Sequence, residues 1–220
     1  NAIGLYEVVI RIIKFIRLFR FIEKKIIDCK PDIVITIDSP SFSYRIVKKL
    51  QHLRKRTKFI HYVAPTVWAW KSYRAKIFSR LYDKIFTLFK FEPKYFTKYG
   101  LNSQFVGHQI FYKKLSCKNS EKIISFFPGS RSVEIKNNMR KLKKIILSSA
   151  NIFTDYNLYI LTFEHEKKNL ERMINSKKIK VISDKKLKHQ IMKKSYIAVA
   201  ASGSVTLELI NYKIPTLVFY

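Results

Sequence analysis

Ile123–Ile135 reads IISFFPGSRSVEI, and the fold follows from how this stretch is parsed. Ile123, Ile124, Ser125, Phe126 and Phe127 are mostly apolar and suit a buried strand. Pro128-Gly129 breaks it, and Ser130 is a residue that opens helices. Ile135, Met139, Leu142 and Ile146 then recur at helical spacing and mark one apolar face. A strand, a tight glycine turn and a helix N-terminus present unpaired N–H groups and a positive dipole end to an anion, with the Arg131 guanidinium beside them. The competing reading is an ordinary strand–helix turn that binds nothing. A second turn of the same kind shifts the balance: Tyr196–Ala201 reads as a strand, Ser202-Gly203-Ser204 as a turn, and Val205–Tyr212 as a helix carrying Glu208. Two such loops in one α/β unit suit a nucleotide, one near its phosphates and one near its sugar.

At 220 residues the chain is long enough for one large domain or two small ones. Its 47% hydrophobic and 27% charged residues are those of a globular protein. The formal charge of +29, from 44 Lys and Arg against 15 Asp and Glu, points to a polyanionic partner: nucleic acid, an anionic membrane surface or phosphorylated substrates. A compositional lysine bias spread along the whole chain is the plainer source of that excess. Cys29 and Cys117 fit neither a disulfide framework nor a metal site, and the histidines lack metal-ligand spacing, so a reducing compartment and no metal are expected. No apolar run is long enough to span a bilayer. With Asn1 at one end and Tyr220 at the other, the expectation is a chain cut at both ends.

Upstream, Leu5–Asp28 has the pattern of one long helix. Val8, Ile12, Phe15, Phe19, Ile22 and Ile26 form an apolar stripe, widened by Val9, Ile13, Ile16 and Leu18, while Arg11, Lys14, Arg17, Arg20 and Lys24 recur on the other side. That pattern fits a helix lying in a membrane interface, and equally a core helix with a solvated basic face. Asp32–Ile37 is a β-branched run expected to be a buried parallel strand. Asp38 follows it, at the strand end where α/β folds bind ligands, or else as the cap of a helix over Tyr44–Lys55. Lys58–Val63, Lys84–Leu88, Ser103–Val106, Leu158–Phe163, Lys180–Ile182 and Thr216–Tyr220 are further expected strands. Arg74–Leu81, a segment ending at Gly100, Glu164–Asn175 and Lys186–Lys194 are expected helices, and Lys113–Glu121 is the expected linker. Between the second strand and Arg74 lies a loop with Trp68 and Trp70, which line a cleft or pack inward. The whole is α/β: two Rossmann-like halves with mostly parallel sheets, divided at 115/116.

Taken in order, several segments resemble the lipid-A-disaccharide synthases, inverting glycosyltransferases of the two-domain B fold. They are Ile3–Val8, Ile37–Phe42 (IDSPSF), Tyr62–Trp70 (YVAPTVWAW, the most specific), Phe91-Glu92, Phe105–His108, Phe126–Glu134 and Ala201–Glu208. Departures are Ser41 where the family often has Asp, Lys90 and Gln109 where it has Pro, and Ser204 for Thr. The family's glycine-rich opening segment and its closing segment are not in this sequence. The resemblance implies transfer from UDP-2,3-diacylglucosamine to 2,3-diacylglucosamine 1-phosphate, with release of UDP and no cofactor. It implies an acceptor and membrane-side domain at residues 1–115 and a UDP-sugar domain at 116–220. Asp38 would be the general base. Gly129, Ser130, Arg131, Ser202, Gly203, Ser204 and Glu208 would bind the UDP-sugar, with Glu208 on the ribose. Trp68, Trp70 and His108 would line the cleft. Val8, Val9, Ile12, Phe15 and Ile16 with Arg11, Lys14, Arg17 and Arg20 would dock on the anionic inner membrane from the cytoplasm. The resemblance leaves room for a homodimer in the intact enzyme. Other readings are another UDP-sugar enzyme of the same fold, an inactive fragment, or a basic RNA-binding protein, the last without any recognisable RNA-binding motif.

Overall fold

β-Branched and aromatic runs become strands: β1 (Ile33–Ile37), β2 (Lys58–Tyr62), β3 (Lys84–Thr87) and β4 (Asn102–Phe105) pair in that order, all parallel. They come from a computed structural model that describes residues 2–112 and 121–219, with side chains from residue 12 onward. The chain divides into two units, Asn1–His108 and Gln109–Tyr220. The expected boundary at 115/116 and most of the expected linker lie outside the described residues.

In the first unit, helices α1 (Ala2–Cys29), α2 (Pro40–Lys49) and α3 (Arg74–Leu81), with the short α4 (Lys94–Thr97), accompany the sheet. Ile46, Val47, Leu50, Phe59, Phe78, Tyr82, Ile85 and Phe96 make its core, and Phe19, Ile22, Ile26 and Ile27 of α1 pack against them. The apolar stripe of α1 is therefore split. Its later part is core-facing, whereas Ile12, Ile13, Phe15, Ile16 and Leu18 remain exposed. The side chains of Val8, Val9 and Arg11 lie outside the described residues. Among the described residues no helix is long and apolar enough to cross a membrane. β1 departs from expectation: Val34 is buried, but Ile33, Ile35 and Ile37 are exposed. Among the described residues only one face of β1 is covered, so only every second side chain finds a core. Helix α2 starts at Pro40, earlier than the expected Tyr44, because a proline is accommodated in the first helical turn.

The second unit is a five-stranded parallel sheet in the order β7-β6-β5-β8-β9. The strands are β5 (Ile123–Phe127), β6 (Asn157–Leu161), β7 (Ile179–Ile182), β8 (Ile197–Ala201) and β9 (Thr216–Phe219), linked by α5 (Ser132–Ile152), α6 (Glu164–Ile174), α7 (Lys185–Lys194) and α8 (Ser204–Asn211). β5 is central and buried along its whole length. Alternation along it feeds two cores: Ile124 and Phe126 join Ile135, Met139, Leu142 and Ile146 of α5, while Ile123 and Phe127 join Ile191, Met192, Leu209 and Tyr212. Ser125, buried among them, is satisfied by the hydroxyl of Ser195 at 2.9 Å. The chain builds outward from β5 through β6 to β7, then returns to add β8 and β9 on the other side. The order reverses between β5 and β8, and a crevice for ligands opens beyond the carboxyl ends of such strands.

Candidate functional site

At that reversal point the second unit contains a cavity of about 690 Å³. Its walls are the carboxyl ends of three neighbouring strands and the elements that follow them. Phe127, Gly129, Ser130 and Glu134 come from the β5–α5 turn, Leu161, Thr162 and Phe163 from the end of β6, and Ala201–Val205 with Glu208 from the β8–α8 turn. Lys185, Lys186, Lys188, His189 and Met192 of α7 complete it. The size suits a drug-sized or nucleotide-sized ligand.

Six of the residues singled out in the sequence thus meet: Gly129, Ser130, Ser202, Gly203, Ser204 and Glu208 all line the cavity. Arg131 does not, and its side chain is exposed. Helix α5 begins at Ser132 with Arg131 in the cap position, rather than opening at Ser130. The reason is Glu134, whose carboxylate turns back to accept the N–H of Ser130 at 3.1 Å and of Arg131 at 3.4 Å. The amides expected to meet an anion are therefore held by a carboxylate of their own helix. Gly129, at φ +126°, makes this possible, since a Cβ there would lie 2.8 Å from the Glu134 Cδ. The β8–α8 turn differs. Ser204 opens α8 directly after Gly203, and the Thr206 hydroxyl donates to the Gly203 carbonyl at 2.6 Å. The helix thus presents its positive end at the cavity wall.

Glu134, Thr162 and the α7 residues escaped the sequence reading. One signal was present: lysines at 185, 186 and 188 crowd the start of a helix, where the dipole disfavours cations. Asp184 caps α7, accepting the N–H of Leu187 at 2.7 Å. The Lys188 ammonium donates to the Thr162 carbonyl at 2.7 Å and sits 4.7 Å above the Phe163 ring. Burial pulls the Lys188 pKa down, with Asp184 and Glu208 pulling it up. Burial likewise lowers that of His189, helped by Lys193; the His189 ring lies within hydrogen-bond distance of the Tyr212 hydroxyl, 2.9 Å from Nε2.

In the first unit, Asp38 stands exposed at the carboxyl end of β1. Its N–H donates to the Tyr62 carbonyl at 2.9 Å and its carbonyl accepts the Ser43 hydroxyl at 2.8 Å. Asp38 and Ser39 both lie in the left-handed region, at φ 52° and 46°. The α2 cap position falls on Ser39, without a side-chain bond, so Asp38 is not the helix cap that the plainer reading made it. Two adjacent non-glycine residues held in this region store on the order of 1–2 kcal/mol each, a cost concentrated at functional sites.

The tryptophan loop is built around buried Ala64 and Val67 and bracketed by Val63 at φ 71° and Lys71 at φ 53°. It turns both indoles outward: Trp68 is 44% and Trp70 71% exposed. Trp68 Nε1 donates to Glu92 Oε1 at 3.3 Å, and Glu92 Oε2 accepts the N–H groups of Leu88 and Phe89, both at 2.9 Å. Phe91-Glu92 is thus a staple that ties β3's exit to the tryptophan loop. His108 stacks on Phe89 at 6.4 Å. Among the described residues, no three His, Cys, Asp or Glu side chains gather as a metal cage.

The model of the lipid-A-disaccharide synthetase (LpxB) family matches residues 1–220. The lipid-A-disaccharide synthases of Rickettsia prowazekii (strain Madrid E) and Rickettsia bellii (strain OSU 85-389) are each 35% identical over 237 residues, which cover 100% of this chain and 61% of each relative. The chain thus spans about three fifths of the length of these curated relatives. Among solved structures, the S. aureus MnaA–UDP co-structure superposes with a TM-score of 0.66 at 16% identity, over 94% of this chain and 61% of that one. The UDP-GlcNAc 2-epimerase of Methanocaldococcus jannaschii in complex with UDP-GlcNAc and UDP gives 0.58 at 17%, over 93% and 64%. At such identities the likeness concerns the fold alone: paired α/β units with parallel sheets, as in the glycosyltransferase B and epimerase architecture.

Proposed function

This chain belongs to the lipid-A-disaccharide synthetase family, and from that premise we propose that the intact protein transfers a diacylglucosamine from UDP-2,3-diacylglucosamine to 2,3-diacylglucosamine 1-phosphate, releasing UDP. The observation that carries this reading is the cavity at the β5/β8 reversal, which gathers both glycine turns and Glu208 on its walls. The Glu208 carboxylate, with two acceptor oxygens, suits the paired hydroxyls of a ribose. The positive end of α8 and the cationic wall of α7 suit a diphosphate. Arg131, outside those walls in this structure, is a second candidate for the departing charge.

The chemistry asks for two things. The acceptor's 6-hydroxyl attacks the anomeric carbon, and its proton goes to a carboxylate; Asp38, strained into position at a strand end, is the proposed base. Negative charge builds on the leaving diphosphate, and fixed N–H groups and ammonium groups stabilise it without a metal. Trp68, Trp70 and His108 are proposed to contact the acyl or sugar portions. Both substrates reside in a bilayer. The exposed Ile12, Ile13, Phe15, Ile16 and Leu18, beside Lys14, Arg17 and Arg20, are proposed to dock the protein on the anionic inner face of the cytoplasmic membrane.

The test is a transfer assay on the intact protein in mixed micelles, following both lipids and UDP by mass spectrometry. One disaccharide 1-phosphate should form per UDP released. UDP release independent of the acceptor, or isomerisation of the donor sugar, would remove the transferase reading.

A further inference from the structure

Within the cationic wall of α7, one ammonium is held in a fixed position. Lys188 is half-buried, its ammonium fixed by the Thr162 carbonyl at 2.7 Å and the Phe163 ring at 4.7 Å. Among the described residues no carboxylate lies within ion-pair distance of it. An ammonium offers three donors, and the Thr162 carbonyl uses one. Holding a cation half out of water without a paired carboxylate is costly. Lys185 and Lys186 crowd the same cavity wall, at a helix start where the dipole opposes all three. An anion bound in the cavity relieves each of these costs at once.

The β5–α5 turn offers that anion little. Its Ser130 and Arg131 amides are already held by Glu134, whose carboxylate also faces the cavity and repels a second negative group. The cavity wall thus carries the Glu134 carboxylate at the β5 turn, Glu208 on α8, and three lysines on α7.

Resting on the reading of this cavity as the UDP-sugar site, we propose that Lys188 is the side chain on α7 that binds the diphosphate. Lysine serves here as a point charge on a phosphoryl oxygen, pre-positioned by the Thr162 carbonyl. Its lowered affinity for protons is restored when the diphosphate arrives.

Titration calorimetry of the intact protein with UDP and with uridine separates the possibilities, using Lys188→Met and Lys188→Arg. Uridine keeps the base and ribose and lacks the diphosphate. Lys188→Met should weaken UDP roughly 10- to 100-fold, the loss of a charged hydrogen bond, while leaving uridine unchanged. Lys188→Arg should recover most of the UDP affinity, and the thermal midpoint of the unliganded Lys188→Met protein should not fall. Equal losses for UDP and uridine would make Lys188 a structural residue and overturn the proposal. So would wild-type UDP affinity in Lys188→Met, with the UDP site itself left standing. A wild-type protein that binds neither UDP nor uridine would overturn both this proposal and the reading beneath it.

Discussion

Replacing Gly129 by alanine tests the architecture of the β5–α5 turn more sharply than any other single change. The residue sits at φ +126°, where an L side chain costs about 1–3 kcal/mol. The new Cβ would lie 2.8 Å from Glu134 Cδ and 2.9 Å from Cγ and Oε2, so the carboxylate has to leave. It then abandons the Ser130 and Arg131 amides at 3.1 and 3.4 Å. These bonds are solvent-exposed, so their loss adds only about 1 kcal/mol. The total is about 2–4 kcal/mol, which should appear as roughly 30- to 1000-fold faster hydrogen exchange in peptides spanning the start of α5. Adding Glu134→Ala to Gly129→Ala removes the clash and counts the lost bonds once. The double variant should therefore be about 1 kcal/mol less destabilised than the sum of the singles. Unchanged exchange in Gly129→Ala, or strict additivity in the double variant, would refute the picture of a turn closed by Glu134.

Three further outcomes are expected. His61 is fully buried, and burial pushes its pKa from 6.5 to about 4 despite the Val63 carbonyl and Asp38. The unfolded chain takes up its proton first, so stability is complete above about pH 6.5 and falls as the pH drops toward 4. The loss attributable to this group is about 2 kcal/mol by pH 5, and a His61→Phe variant should lack that part of the slope in urea unfolding at pH 7 and pH 5. Asp38→Asn should lower kcat by ~10²–10⁴ with UDP affinity intact, whereas near-normal turnover would make its strained backbone a matter of loop shape alone. Ile12→Ser with Ile16→Ser should preserve the thermal midpoint and reduce sedimentation with anionic vesicles, while Ile22→Ala should cost ~2 kcal/mol or more because that side chain packs on the core; unfolding by the serine pair would place those residues inside.

Helical and strand periodicity made most of the elements legible. Ile135, Met139, Leu142 and Ile146 are all buried on one face of α5, and Arg74–Leu81 has the bounds expected for it. Periodicity failed where the neighbour rather than the pattern decides burial. Ile33, Ile35 and Ile37 are as β-branched as any core strand, yet they lie on the face of β1 that the described residues leave uncovered. The α1 stripe looks continuous in sequence, but only Phe19, Ile22, Ile26 and Ile27 pack on the core, while Phe15, still exposed, meets Phe42 at 5.4 Å. At the site, the two glycine turns were legible because turn chemistry is local. Lys188 and Glu134 were not, since one depends on a carbonyl 26 residues away and the other on a helix side chain folding back. Glu92 was recognised as part of a motif, but its staple to Trp68 joins residues 24 apart and only the fold reveals it.

The cavity at the β5/β8 reversal is proposed to hold the nucleotide of the donor sugar. A crystal structure of the intact protein soaked with UDP tests it most directly. UDP should lie within that cavity, its ribose hydroxyls on the Glu208 carboxylate and its diphosphate toward Lys188 and the Gly203–Ser204 turn. UDP bound elsewhere, or bound with Glu208 untouched, would contradict it.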